Sequence, residues 1–275
     1  MFSVHRPLWR LALACAAAMT LAVLAAPHPQ IAAAQVPAKP PIVLVHGAWA
    51  DASSWNGVIT RLESAGYTVA APPNLLRGVA NDGAYIASFL KTVPGPVVLV
   101  GHSYAGMVIS LASATSPQVK ALVYIDAFVP DQGDSVGSLL AKNPGSQLGP
   151  QAFNVVPFAT ATGGDADLYI KTGPFVSIFA SGVPAATATL MAATQRPFPN
   201  SIFTEKLAAV PGWKAVPSWY LVGDADLVIP PATQLWMAQR INAHISHVNG
   251  GHANLVSNPD ATTAAVLAAA KAVGG

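Results

Sequence analysis

Short runs of β-branched and other apolar residues return along this chain, and longer stretches with helical spacing lie between them. The runs at 42–45, 68–71, 97–100, 121–125, 219–222 and 245–248 read as strands. Helical patterns fall at 54–65, 82–92, 103–115, 233–241 and 261–273. Such alternation is how parallel strands and their crossover helices look in sequence. The central runs are apolar almost without interruption, which predicts strands covered on both faces. The expectation is an α/β fold with a roughly six-stranded, mainly parallel sheet and helices on both of its faces.

One interval breaks the alternation. From 131 to 213 the chain is rich in Gly, Pro, Ala and Phe, with weak helical stretches around 166–171 and 185–193. An interval of that length is too long for plain loop in a compact domain. It reads as a cap inserted over the edge where the strands end, the edge at which open α/β sheets bind ligands.

The first residues have the pattern of an export signal. His5, Arg6 and Arg10 precede an Ala/Leu-rich run at 11–26, and Ala32-Ala33-Ala34 offers a small-residue cleavage site before Gln35. A cut near Ala26 is the alternative. The apolar run is short for a membrane span, which needs about 20 residues, and it breaks at Pro27 and Pro29. The pattern predicts removal of 1–34 and a periplasmic or secreted domain at 35–275. Cleavage takes away Cys15, the single cysteine, so neither a disulfide nor a thiol nucleophile is expected. It also takes Arg6 and Arg10 from the 14 basic residues, leaving twelve basic against twelve acidic. A near-neutral surface gives no electrostatic case for nucleic acid or an anionic membrane as partner.

The third run ends in Gly101-His102-Ser103-Tyr104-Ala105-Gly106, and a helical pattern begins at once. A serine between small residues at a strand-to-helix turn is held exposed above helix N–H groups. The bland alternative is a Ser-capped helix with small residues for close packing. A serine hydroxyl is a poor nucleophile near neutral pH and needs a base, an orienting acid and donors for an oxyanion. Each has a candidate at another strand end. His252 follows the last run in a Gly-rich loop, Gly250-Gly251-His252. Two aspartates, Asp224 and Asp226, follow the run at 219–222. Asp226, one step further into the loop, is placed to reach His252, while Asp224 shapes the turn. The backbone N–H groups of Tyr104, after the serine, and of Ala48, in the loop after the first run, are the oxyanion donors expected. The order serine, acid, histidine differs from that of the two unrelated serine protease folds.

Taken together, the segments HGAW at 46–49, GHSYAG at 101–106, GDADLVIP at 223–230 and GGHANLVSNP at 250–259 resemble the α/β-hydrolase superfamily. More narrowly, they resemble its small esterase-like group of plant methyl-ester esterases, hydroxynitrile lyases and bacterial pyrethroid-type carboxylesterases. The resemblance covers nearly the whole chain after the signal. It implies a serine esterase without cofactor or metal that acts through an acyl-enzyme on small to medium apolar esters. It supports Ser103, Asp226 and His252 as the catalytic set, with Ala48 and Tyr104 as the oxyanion hole. One departure is Ala105, where the usual pattern has glycine. In the resembled lyases a lysine follows the histidine and a threonine sits in the first loop. Here those places hold Ala253 and Gly47, which disfavours lyase or cofactor-free oxygenase chemistry. A non-catalytic binding protein on the same fold conflicts with so complete a set.

Other residues invite weaker readings. His244 and His247 fall at i, i+3 in a predicted strand and point to opposite faces, so a metal site is not expected. Asp126 ends a strand and is either a turn cap or an alternative acid. Phe153, Phe158, Phe175, Phe179 and Met191 are candidates for an apolar pocket or for the cap's own core. Arg196 reads as structural, and Trp49 and Trp55 are expected near the site entrance.

Overall fold

In the computed structural model, which describes residues 39–161 and 163–274, the apolar runs become β1 (Ile42–Val45), β2 (Val69–Ala70), β3 (Val97–His102) and β4 (Val119–Ile125). Between β4 and the next strand of that sheet lie β5 (Phe153–Thr160), β6 (Gly163–Ile170) and β7 (Phe198–Pro199). The main series resumes with β8 (Ser218–Gly223) and β9 (His244–Val248). The segment read as an export signal, with Cys15, lies outside the described residues.

The main sheet has six strands in the order β2-β1-β3-β4-β8-β9, and every pairing is parallel. Every residue of β1, β3 and β8 is buried, as strands covered on both faces must be. The cover comes from two helical layers. In one, α1 (Asn56–Ser64) meets α9 (Pro259–Gly274); in the other, α2 (Val79–Leu90) meets α3 (Ala105–Ser113), and β3 touches both α3 and α9. α7 (Pro231–Arg240) packs on β8, and the short α8 (Asn254–Ser257) leads into α9. Among the described residues no helix is long and apolar enough to cross a membrane.

The strand order reverses between β1 and β3, since β2 lies outside β1 and all later strands lie beyond β3. At such a switch point the loops leaving two neighbouring strands diverge and open a crevice at their carboxyl ends. The loops after β1 and β3 carry Gly47-Ala48 and Ser103. Their approach is so close that a Cβ on Gly47 would sit 2.8 Å from Ser103 Cβ.

The long insert between β4 and β8 builds α4 (Val136–Leu140), the antiparallel sheet β5-β6-β7, α5 (Thr172–Pro174) with a π-helical turn at Phe175–Phe179, and α6 (Ala185–Thr194). The helical pattern around 185–193 is α6, whereas the one around 166–171 falls in β6. There Leu168 and Ile170 are buried while Asp167 and Tyr169 are less so, a period of two. Polar contacts tie the insert to the main sheet's loops. Trp49 Nε1 donates to the Leu168 carbonyl at 2.9 Å, and Arg196 to the Asn74 carbonyl at 3.0 Å. Arg77 pairs with Asp167 at 3.0 Å. Glu205 accepts from Val79 N and Ala80 N at 2.8 and 3.0 Å, satisfying the first turn of α2, whose N-cap Gly78 has no side chain to do so.

Candidate active site

Ser103 sits at the end of β3 with φ 54°, a left-handed backbone that costs a non-glycine residue about 1–3 kcal/mol. Three bonds hold it there. Its N–H donates to the Ile125 carbonyl at 3.2 Å, and its carbonyl accepts from Gly106 N at 3.0 Å and Phe128 N at 3.1 Å. Small residues make the turn possible. A Cβ on Gly106 would lie 1.9 Å from the Phe128 carbonyl oxygen, so no side chain fits at that position. The methyl group of Ala105 is fully buried one residue earlier. The departure from glycine at 105 therefore leaves the turn intact, because the contact that demands glycine falls at 106.

His252 Nε2 lies 2.8 Å from Ser103 Oγ, and its Nδ1 lies 2.8 Å from Asp226 Oδ2. Asp226 and His252 are buried. Asp226 is held as an acceptor on both oxygens. Oδ1 receives Val228 N at 2.7 Å and Ile229 N at 3.0 Å, and Oδ2 also receives Gln234 Nε2 at 2.7 Å. A carboxylate so placed makes Nδ1 the protonated nitrogen of His252, which leaves Nε2 as a lone-pair acceptor facing the serine hydroxyl.

The competing acids are elsewhere. Asp224 is exposed and accepts from His247 Nδ1 at 2.8 Å. Asp126 is fully buried at φ 45°, and Asn254 Nδ2 donates to its two oxygens at 3.0 and 2.9 Å. Burial, reinforced by the nearby Asp226 carboxylate, pushes the Asp126 carboxyl well above the usual range and favours its neutral form. His102 Nε2 donates to the His252 carbonyl at 2.9 Å, so the residue before the serine braces the backbone of the histidine. Burial holds His102 well below the ordinary histidine range. His46 is lowered to about 4, chiefly by burial; its Nδ1 bonds the Gly47 carbonyl at 3.0 Å while Nε2 accepts from Asn74 N at 2.9 Å. His244 stacks on Trp219. Among the described residues no three His, Cys, Asp or Glu side chains gather into a group that could hold a metal.

Ala48 and Tyr104 are both buried, and both line the cavity onto which Ser103 opens. Among the described residues neither backbone N–H donates to a protein acceptor. Tyr104 is anchored from its other end, since its Oη donates to Asp82 Oδ2 at 2.8 Å and its ring packs edge-on to Phe198. The cavity measures about 30 Å³, with Phe128, Leu148, Phe153, Phe198 and Phe203 in its walls. Leu148, Phe153 and Phe203 also face an outer apolar cleft of about 430 Å³, bordered by β5 and β6.

Several side chains lie where sequence patterning does not put them. Trp55 is fully buried against His102, not at an entrance. Of the cap aromatics, Phe153 lines the cavity, Phe179 packs 5.2 Å from the His252 ring and Phe175 is buried beside Phe179. Phe198, Phe203, Ser146 and Gln234 also belong to this region, although no sequence motif singles them out. For Phe198 and Phe203 the signal was present in the aromatic richness of the insert. Ser146 and Gln234 carry no local signal.

The family model of the alpha/beta hydrolase family matches residues 42–266. Over 113 residues the chain is 37% identical to a carbendazim hydrolyzing esterase of Nocardioides sp. (strain SG-4G), covering 36% of this chain and 47% of that protein. Over 243 residues it is 29% identical to an alpha-hydroxynitrile lyase of Arabidopsis thaliana, covering 79% of this chain and 92% of the lyase. The structure of polyneuridine aldehyde esterase superposes with a TM-score of 0.73 at 20% identity, covering 84% of this chain and 98% of the other.

Proposed function

The chain belongs to the alpha/beta hydrolase family, and from that premise we propose that it is a serine carboxylic-ester hydrolase acting through an acyl-enzyme on small to medium apolar esters. The observation that carries the reading is the chain of short contacts from Ser103 Oγ through His252 to Asp226, each 2.8 Å long. Ser103 Oγ attacks the ester carbonyl carbon as His252 Nε2 takes its proton. Asp226 stabilises the imidazolium that results, and the N–H groups of Ala48 and Tyr104 receive the oxyanion. When the tetrahedral adduct collapses, the C–O bond to the alcohol breaks and His252 returns the proton to the leaving oxygen. Water, activated by the same imidazole, then releases the acid. The apolar lining of the cavity and of the outer cleft supports a substrate without net charge.

The lyase relative raises cyanohydrin cleavage as a second chemistry. Ala253 and Gly47 argue against it, because neither supplies the cation or hydroxyl that the resemblance associates with the lyases. The test is Ser103→Ala, assayed on short esters and with an organophosphonate probe. Loss of both turnover and labelling is expected. Ester hydrolysis at the wild-type rate in that variant would overturn the mechanism.

A further inference from the structure

A second serine, Ser146, is among the residues that line the cavity at Ser103, and the proposed hydrolysis has no use for it. The other polar side-chain atoms of the lining are already engaged. Tyr104 Oη donates to Asp82 at 2.8 Å, Trp49 Nε1 to the Leu168 carbonyl at 2.9 Å, and Ser103 Oγ faces His252 at 2.8 Å. Ser146 differs. Its Oγ is buried, the residue lines the cavity, and among the described residues the hydroxyl meets no hydrogen-bond partner.

Its surroundings hold it where it is. Gly145 takes φ 130°, and a Cβ there would lie 3.4 Å from Pro230. Gln147 N donates to the Leu227 carbonyl at 2.8 Å, and Asn143 Nδ2 to Thr233 Oγ1 at 3.2 Å. Ser146 is thereby pinned beside the loop that carries Asp226. A buried hydroxyl with no partner is unfavourable in itself, so a position kept this way in a substrate cavity suits a partner that arrives with the substrate.

The geometry points to Ser146 as a binding hydroxyl for a second oxygen of the substrate, separate from the ester group itself. The inference rests on the esterase reading above. It narrows the substrate class to short esters that carry an ether, keto or hydroxyl oxygen in the acyl or alcohol part. A hydroxyl donates to any of these oxygens, and it also accepts from a substrate hydroxyl. The carbon skeleton extends past Leu148, Phe153 and Phe203, which the cavity shares with the outer apolar cleft.

Two matched pairs of esters test it, each pair exchanging one methylene for an oxygen at nearly constant size. On the acyl side the pair is p-nitrophenyl butanoate and p-nitrophenyl methoxyacetate. On the alcohol side it is butyl acetate and 2-methoxyethyl acetate. With the wild type, the oxygenated member of at least one pair should be favoured in kcat/KM by about tenfold beyond the ratio of the two alkaline hydrolysis rates, as one neutral hydrogen bond allows. Ser146→Ala should remove that preference by lowering kcat/KM for the oxygenated member toward that of its plain partner, because the hydrogen bond is lost. Wild-type ratios equal to the alkaline ratios in both pairs would overturn the inference without recourse to any variant. So would a Ser146→Ala enzyme that still labels with the phosphonate and keeps the preference. If the wild type hydrolysed none of the four esters and resisted the phosphonate, the esterase reading itself would fail. Turnover of all four without an oxygen preference would leave that reading standing and remove the role of Ser146 alone.

Discussion

The walls around Ser103 are made by two regions built on opposite terms. On the sheet side, backbone meets backbone. Gly106 lies against the Phe128 carbonyl and Gly47 against Ser103 with no space for a Cβ, and β1, β3 and β8 are buried along their whole length. On the insert side, β5 is largely exposed, with Val155 and Val156 at 59% and 49% exposure, and Gly163, Gly173 and Gly182 have open space around them. The sheet side holds Ser103 by backbone contacts that leave no space for a Cβ. The insert supplies the apolar surface that selects what reaches them, and it can change there without moving the serine.

The largest test of that division is on the sheet side. Asp226→Asn should lower kcat on a hydrolysed ester by about 10⁴-fold, because the amide favours the wrong imidazole tautomer. Asp224→Asn, two residues away with its exposed side chain bonded to His247, should stay within about twofold. Equal losses in the two variants would erase the distinction between the aspartates.

Next in size is a pair of glycine substitutions compared by denaturant unfolding. Gly106→Ala drives a methyl group into the Phe128 carbonyl and should cost about 3 kcal/mol or more. Gly173→Ala, in the insert, meets nothing within 4 Å and should change stability by less than about 0.5 kcal/mol. Similar costs at both sites would mean that the insert is packed as tightly as the sheet.

The smallest effect concerns pH. His46 is buried neutral with its pKa lowered to about 4, so between there and the unfolded value near 6.5 the unfolded chain binds more protons. Its contribution to stability is complete above pH 6.5 and is lost as pH falls toward 4. At pH 6 the loss is about 1 kcal/mol. Protonating Nε2 would also set two donors face to face at Asn74 N. Thermal unfolding should show a lower Tm at pH 6 than at pH 7, with a shallower dependence in His46→Gln. A Tm that rises on going from pH 7 to 6 would refute the buried neutral imidazole.

Legibility divides along the same line. The strands of the sheet are visible because burial on both faces demands unbroken β-branched runs, and β1 coincides with the run at 42–45. Ser103, Asp226 and His252 stand out because each follows such a run in a loop of small residues. In the insert, strands that are exposed or only partly buried over most of their length leave only a weak alternation. The residues around 166–171 therefore pass for helix although they lie in β6. Trp55 lies deeper than its place at the start of the helical pattern at 54–65 suggests, since periodicity carries no mark of the depth at which an aromatic will lie.

The sequence by itself determined the layered α/β architecture, the strand ends and the residue types at them, because hydrophobic period and turn chemistry are local properties. Only the tertiary structure decided which of two neighbouring aspartates meets His252, that glycine is required at 106 while alanine fits at 105, and that Ser146 lines the same cavity as Ser103. Those outcomes depend on distances between segments far apart in the chain, and packing alone sets them.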